Sequence, residues 1–99
     1  MKGNSGIANT IAQQMGGLNR IEAMLGAKYV MAIDDGLAIR WPGKPANHVE
    51  IVLQPDDTYS MQFYSIRGTK VKKLKRFDDV YADQLVPIFE RYTGFRLSL

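Results

Sequence analysis

Six positively charged side chains, Arg67, Lys70, Lys72, Lys73, Lys75 and Arg76, fall within ten consecutive residues that contain no acid. Ammonium and guanidinium groups at this density bind polyanions by releasing condensed counterions and by donating to phosphate oxygens. The other seven Lys and Arg residues stand against ten Asp and Glu, a net of −3, in a chain whose formal charge is +3. The chain is therefore polarised, and this segment is the candidate nucleic-acid-binding surface. Of the aromatic residues near it, alternation assigns Tyr59 and Phe63 to the core. That leaves Tyr64, and Tyr81 further along, as stacking surfaces. No helical stretch gathers Arg, Asn or Gln, so sequence-specific readout is not expected. Two other readings stand beside this one. Lysines on an edge strand block pairing with a second sheet, and a basic patch also docks on an acidic protein surface.

Other residue types offer less chemistry. Three Asp-Asp pairs, Asp34-Asp35, Asp56-Asp57 and Asp78-Asp79, recur at equal spacing. Their flanks do not match, and each sits where a turn or a helix cap favours Asp. Calcium-loop spacing is missing, so no metal site is expected. His48 is the single histidine. At the start of a strand, with only Glu50 as a nearby carboxylate, it reads as a surface residue without a triad. Gly16-Gly17 and Gly43-Lys44 lack the spacing of a phosphate loop. With no cysteine in the chain, disulfides, thiolate nucleophiles and Cys-based zinc sites are excluded. No catalytic residues and no cofactor are expected, and the chain reads as a non-enzyme.

The elements that would position these groups follow from periodicity. Ninety-nine residues fit one domain over 1–99. Asn4 or Ser5 caps a first helix carrying Ile7, Ile11 and Met15, and Gly16-Gly17 stops it. A second helix runs from Leu18 to Leu25, with Gly26 as terminator. Tyr29, Met31 and Ile33 alternate, as do Leu37, Ile39 and Trp41. A three-residue loop, Asp34-Asp35-Gly36 with Gly36 left-handed, would put all six on one face. Val49, Ile51 and Leu53 pair with Phe63, Met61 and Tyr59 across Pro55-Asp56-Asp57. The remaining face holds Val30, Ala32, Ala38, Arg40, Glu50, Val52, Ser60, Gln62, Tyr64 and Ile66. Within it, Val30, Val52, Tyr64 and Ile66 form a candidate partner or homodimer surface.

Residues 70–76 are a fifth strand or an extended loop, because Val71, Leu74 and Phe77 are spaced by three. Asp78 or Asp79 caps a last helix with Tyr81, Leu85, Ile88, Phe89 and Tyr92 in its apolar stripe. Pro87 should kink that helix. The tail Phe95, Leu97, Leu99 alternates like a short strand. The expected fold is α+β: an antiparallel sheet of four to five strands built from two hairpins. Two short N-terminal helices and one C-terminal helix should pack on the face carrying Trp41, Met61 and Phe63. No run of apolar residues is long enough to span a bilayer, and residues 1–6 do not form a secretory signal. A cytoplasmic location is the expectation.

Residues 80–99, VYADQLVPIFERYTGFRLSL, resemble the C-terminus of small uncharacterised proteins carried by bacteriophages and other mobile elements. The stretches IANTIAQQMGG, GAKYV and DDTYSMQFYSIRG are similar to the same group. The resemblance implies an accessory protein made inside a bacterial cell. It implies no activity and no functional residues.

Overall fold

The computed structural model describes residues 5–97. Two helices, α1 (Ser5–Gln14) and α2 (Leu18–Leu25), precede five strands. These are β1 (Tyr29–Ile33), β2 (Gly36–Arg40), β3 (His48–Leu53), β4 (Tyr59–Arg67) and β5 (Lys70–Val80). A short 3-10 turn (Ala82–Gln84) leads into α3 (Leu85–Thr93). The strands form one antiparallel meander in the order β1-β2-β3-β4-β5. Capping by the Asn4 or Ser5 side chain, and the Leu99 end of the tail, lie outside the described residues.

The helices cover one face of the sheet, as their apolar spacing requires. Ile11 and Met15 from the first helix and its end, Ile21 and Leu25 from α2, and Leu85 and Phe89 from α3 meet Ile39, Trp41, Val49, Ile51, Met61 and Phe63. Trp41, Phe63 and Phe89 are fully buried. Trp41 stands edge-on to Phe89 at 5.1 Å between ring centroids. Removing either ring would cost about 3–5 kcal/mol, through lost transfer energy and the cavity left behind.

The second hairpin has the expected register, with Val49 opposite Phe63, Ile51 opposite Met61 and Leu53 opposite Tyr59. Its left-handed loop residue is Asp57, φ 69°. The first hairpin differs. Its loop has two residues, Asp34 and Asp35, so Ile33 pairs with Gly36 and Val30 with Ile39. A register slip of one residue turns every side chain over. Val30 and Ala32 therefore pack against the core, and Tyr29 and Met31 face away from it, 37% and 50% exposed. The reason is local. Asp35 takes the left-handed conformation, φ 57°, that was expected of Gly36. Gly36 is instead a strand residue, where a Cβ would collide with the Ile51 carbonyl oxygen.

The spacing by three in 70–80 is a strand with two bulges, not a loop. Its register against β4 slips between Tyr59 and Met61, and again between Gln62 and Tyr64. Each extra residue resets the alternation, so Leu74, Phe77 and Val80 all reach the core side. Asp79 sits in the first slip with φ 57°. Asp78 and Asp79 therefore belong to β5 and cap no helix. Gln84 accepts from the Tyr81 N–H at 2.9 Å, and Tyr81 is 61% exposed rather than part of the apolar stripe. Pro87 falls in the first turn of α3, where an N–H has no intrahelical partner anyway, so no bond is deleted. The tail forms no strand up to residue 97. Leu97 is buried, and its N–H donates to Glu90 at 2.7 Å.

Candidate nucleic-acid interface

β5 is an edge strand, and its alternation decides where the six cations point. Lys73 lies opposite Tyr64, and Arg76 opposite Gln62, on the face without helices. Lys72 lies opposite Ser65, and Lys70 opposite Arg67, which gives them the other facing. Lys75, at the second bulge, sets its ammonium 5.5 Å from the centre of the Phe77 ring. All four lysines are exposed. Among the described residues, none of their ammonium groups pairs with a carboxylate. The two arginines are engaged. Arg76 Nε donates to Asp78 at 2.9 Å. Arg67 turns along the sheet end and donates to the carbonyls of Gly43 (3.0 Å) and Pro45 (3.3 Å). The basic segment is therefore two-sided, a lysine rim on both flanks of one edge strand.

The uncovered sheet face next to that rim carries a chain of polar groups. The Tyr29 hydroxyl lies 3.1 Å from His48 Nδ1, and His48 Nε2 lies 3.4 Å from a Glu50 oxygen. The Tyr64 hydroxyl donates to the other Glu50 oxygen at 3.3 Å. Neutral His48 with its proton on Nε2 satisfies both contacts, accepting from Tyr29 and donating to Glu50. Both tyrosine rings meet the imidazole edge-on, at 5.9 and 5.5 Å between centroids. His48 is 5% exposed, so it is not the surface residue its position suggested. The two tyrosines roof it. Burial pushes its pKa below the usual 6.5, against the opposing pull of Glu50, and the Arg40 charge pushes the same way as burial. Burial likewise raises the Tyr64 hydroxyl, and Glu50 adds to the effect. The arrangement stiffens the middle of the face and leaves Tyr64, half-buried, beside Lys73.

Of the four residues expected as a partner surface, Val52, Tyr64 and Ile66 do lie on this face. Val30 lies on the core side because of the first hairpin's register. The exposed apolar residues Met31 and Val71 sit on opposite edge strands, so they do not merge into one patch.

The meander also sorts charge by end. Asp34-Asp35 and Asp56-Asp57 close the hairpins at one end. Val80 pairs with Tyr59, which brings Asp78 and Asp79 to that same end. The second Asp of each pair is left-handed, with φ between 57° and 69°. Short polar side chains tolerate that conformation, which explains the threefold recurrence. Asp56 accepts from the Thr58 hydroxyl (2.6 Å) and N–H (3.1 Å), which lowers its pKa. Among the described residues, no three acidic, His or Cys side chains gather closely enough to hold a metal ion.

At the opposite end lie Lys28, Arg40, Lys44 and Arg67, which line one cleft together. Three of these four cations, Lys28, Arg40 and Lys44, were not among the site residues expected from the sequence. They are scattered at positions 28, 40 and 44, and only the meander brings them beside the turn after β4. No helix among the described residues is long and apolar enough to cross a membrane. Comparison of the chain with family models, curated proteins and solved structures finds no match.

Proposed function

We propose that this chain is a non-enzymatic binding protein whose β5 edge engages nucleic acid through the phosphate backbone, with little sequence preference. The supporting observation is the row of four exposed lysines on one strand, Lys70, Lys72, Lys73 and Lys75, without carboxylate partners among the described residues. Unpaired ammonium groups keep their full counterion-release capacity, whereas an ion-paired cation must first break its own contact. Tyr64, opposite Lys73 at the rim of the uncovered face, adds an aromatic edge near the backbone track. Edge lysines also discourage pairing with another sheet, but that role does not need the acid-free stretch from 67 to 76. Lys70 and Lys72 on one flank and Lys73 on the other suit a strand gripped from both sides rather than a flat duplex surface. The resemblance of residues 80–99 to phage and mobile-element proteins supports an accessory role inside a bacterial cell.

The test is fluorescence anisotropy with labelled single-stranded DNA or RNA across a salt series. Four phosphate contacts predict a slope of about −3 in log affinity against log salt. Lys72→Glu with Lys73→Glu should flatten the slope by about 1.5 and weaken binding at every sequence tried. Binding that ignores salt, or survives the double charge reversal, removes the proposal. A protein partner remains the second reading, because the same lysines fit an acidic surface. Pull-down from nuclease-treated bacterial lysate separates the two.

A further inference from the structure

The cleft at the cationic end has a volume of about 680 Å³, within the range of small-molecule sites. It lies between the start of β1, the loop after β2 and the turn after β4. Its wall is formed by Lys28, Arg40, Lys44 and Arg67 around Phe95, with the buried Trp41 indole lying beneath the floor. Among the described residues, no Asp or Glu lines it. Four like charges facing one concavity repel each other, so the free protein carries an electrostatic cost there that an anion would relieve.

Two features show that this wall is built rather than incidental. First, the guanidinium groups are tethered by main-chain oxygens. Arg67 Nη2 donates to Gly43 and Pro45, and Arg40 Nη2 approaches the Ile66 carbonyl at 3.5 Å. Each guanidinium carries five N–H donors, so donors remain after these contacts. The buried Asn47 side chain fixes the same corner, exchanging two 2.8 Å hydrogen bonds with the Ile66 backbone. Second, Trp41 Nε1 is buried without a hydrogen-bond partner. It is the single such side-chain atom found among the described residues. Buried N–H donors are nearly always paired, and an exception calls for an acceptor beyond the described residues. The indole nitrogen lies directly against Gly43, where any Cβ would collide with it, and Gly43 lines the same cleft.

We infer that this cleft is an anion-binding site for a phosphomonoester group, held by Lys28, Arg40, Lys44 and Arg67 with Phe95 beside it and the Trp41 indole beneath. A phosphate dianion matches the excess charge and offers the acceptor oxygens that the donors lack. The apolar wall and the volume leave room for an organic group attached to the phosphate. The phosphomonoester is then either a free mononucleotide or the phosphorylated end of a nucleic-acid strand. The site stands independently of the lysine rim, since only Arg67 belongs to both segments.

Trp41 is the one tryptophan in the chain, so its emission reports on the cleft directly. The experiment titrates inorganic phosphate, a nucleoside monophosphate and the corresponding nucleoside at constant ionic strength. A saturable change with the two phosphates and none with the nucleoside is expected. Lys28→Ala with Lys44→Ala, both exposed positions, should weaken it by about tenfold or more. Lys72→Glu with Lys73→Glu should leave it unchanged, which separates this site from the lysine rim. Terminally phosphorylated and hydroxyl-ended oligonucleotides of one sequence distinguish the two sources. A preference for the phosphorylated end assigns the strand terminus, and equal oligonucleotide response with tight mononucleotide binding assigns the free nucleotide. A response that chloride reproduces at equal ionic strength, or that the Lys28/Lys44 pair does not alter, overturns the inference.

Discussion

The two ends of the sheet are built from the same kind of part, tight connections between antiparallel strands, yet they handle charge in opposite ways. At one end, three Asp pairs occupy turns and a bulge, where the second Asp of each supplies a left-handed residue. Those residues serve local chain geometry. Asp56 holds Thr58, Asp78 holds Arg76, and the Asp35 carbonyl accepts from the Leu53 N–H at 2.8 Å. At the other end, charged groups from three parts of the chain, the start of β1, the end of β2 with the loop after it, and the end of β4, converge on one cleft, with no carboxylate lining it among the described residues and with both arginines tethered by carbonyls. Charge used for chain geometry is spread out and locally satisfied. Charge kept available for a ligand is concentrated and left with open donors.

The contrast can be broken most severely through Trp41, which joins the core to the cationic cleft. Trp41→Ala should lower stability by about 3–5 kcal/mol in urea denaturation. Trp41→Phe, which keeps one ring but removes the unpaired N–H and part of the buried indole volume, should cost less than the full truncation. If the two cost the same, the remaining ring recovers none of the packing against Phe89. Next comes the lysine rim. Lys72→Glu with Lys73→Glu should reduce nucleic-acid affinity by about tenfold or more at low salt, with the unfolding midpoint little changed. A matched reversal at the other end, Asp34→Lys with Asp56→Lys, should leave that affinity at least as strong. Loss of affinity there would contradict the assignment of function to the lysine edge.

Acid should act on the two regions in separate windows. His48 has a pKa lowered by burial, so below its usual 6.5 the unfolded chain takes up the proton first. Stability is therefore full above 6.5 and falls as pH drops from there through the folded pKa. Asp56, lowered by its Thr58 hydrogen bonds, contributes above its usual 3.8 and loses that contribution as pH falls further. His48→Gln should abolish the upper window and leave the lower one, as read by urea midpoints from pH 7 to 3. The smallest effect belongs to the left-handed Asp residues. Asp35→Gly should stabilise by about 0.5–1 kcal/mol by relieving positive φ. Asp34→Gly, at a position without that strain, should not.

Much of the frame was legible because it depends on period alone. The bounds of α2, the register of the β3–β4 hairpin and the burial of Trp41, Met61 and Phe63 follow from apolar spacing at 3.6 or 2 residues. Where two local solutions were close in energy, the reading failed. Asp35 and Gly36 both accept a left-handed backbone, and the choice between them inverted β1. In β5, two bulges mimicked a broken pattern, because a bulge adds a residue without ending the strand. The His48 network was invisible for another reason. Its members, Tyr29, His48, Glu50 and Tyr64, come from three strands and meet only through cross-strand pairing.

By itself, then, the order of residues determined the α+β class, the three helices, the first four strands, the apolar face of most of them and the basic character of residues 67–76. Those properties are local, set by side-chain spacing along a few turns of chain. Which strand face each lysine adopts, which aspartates share an end and which cations share a cleft were decided by tertiary structure. These depend on register across the meander, and a shift of a single residue is enough to move a charge from one side of the sheet to the other.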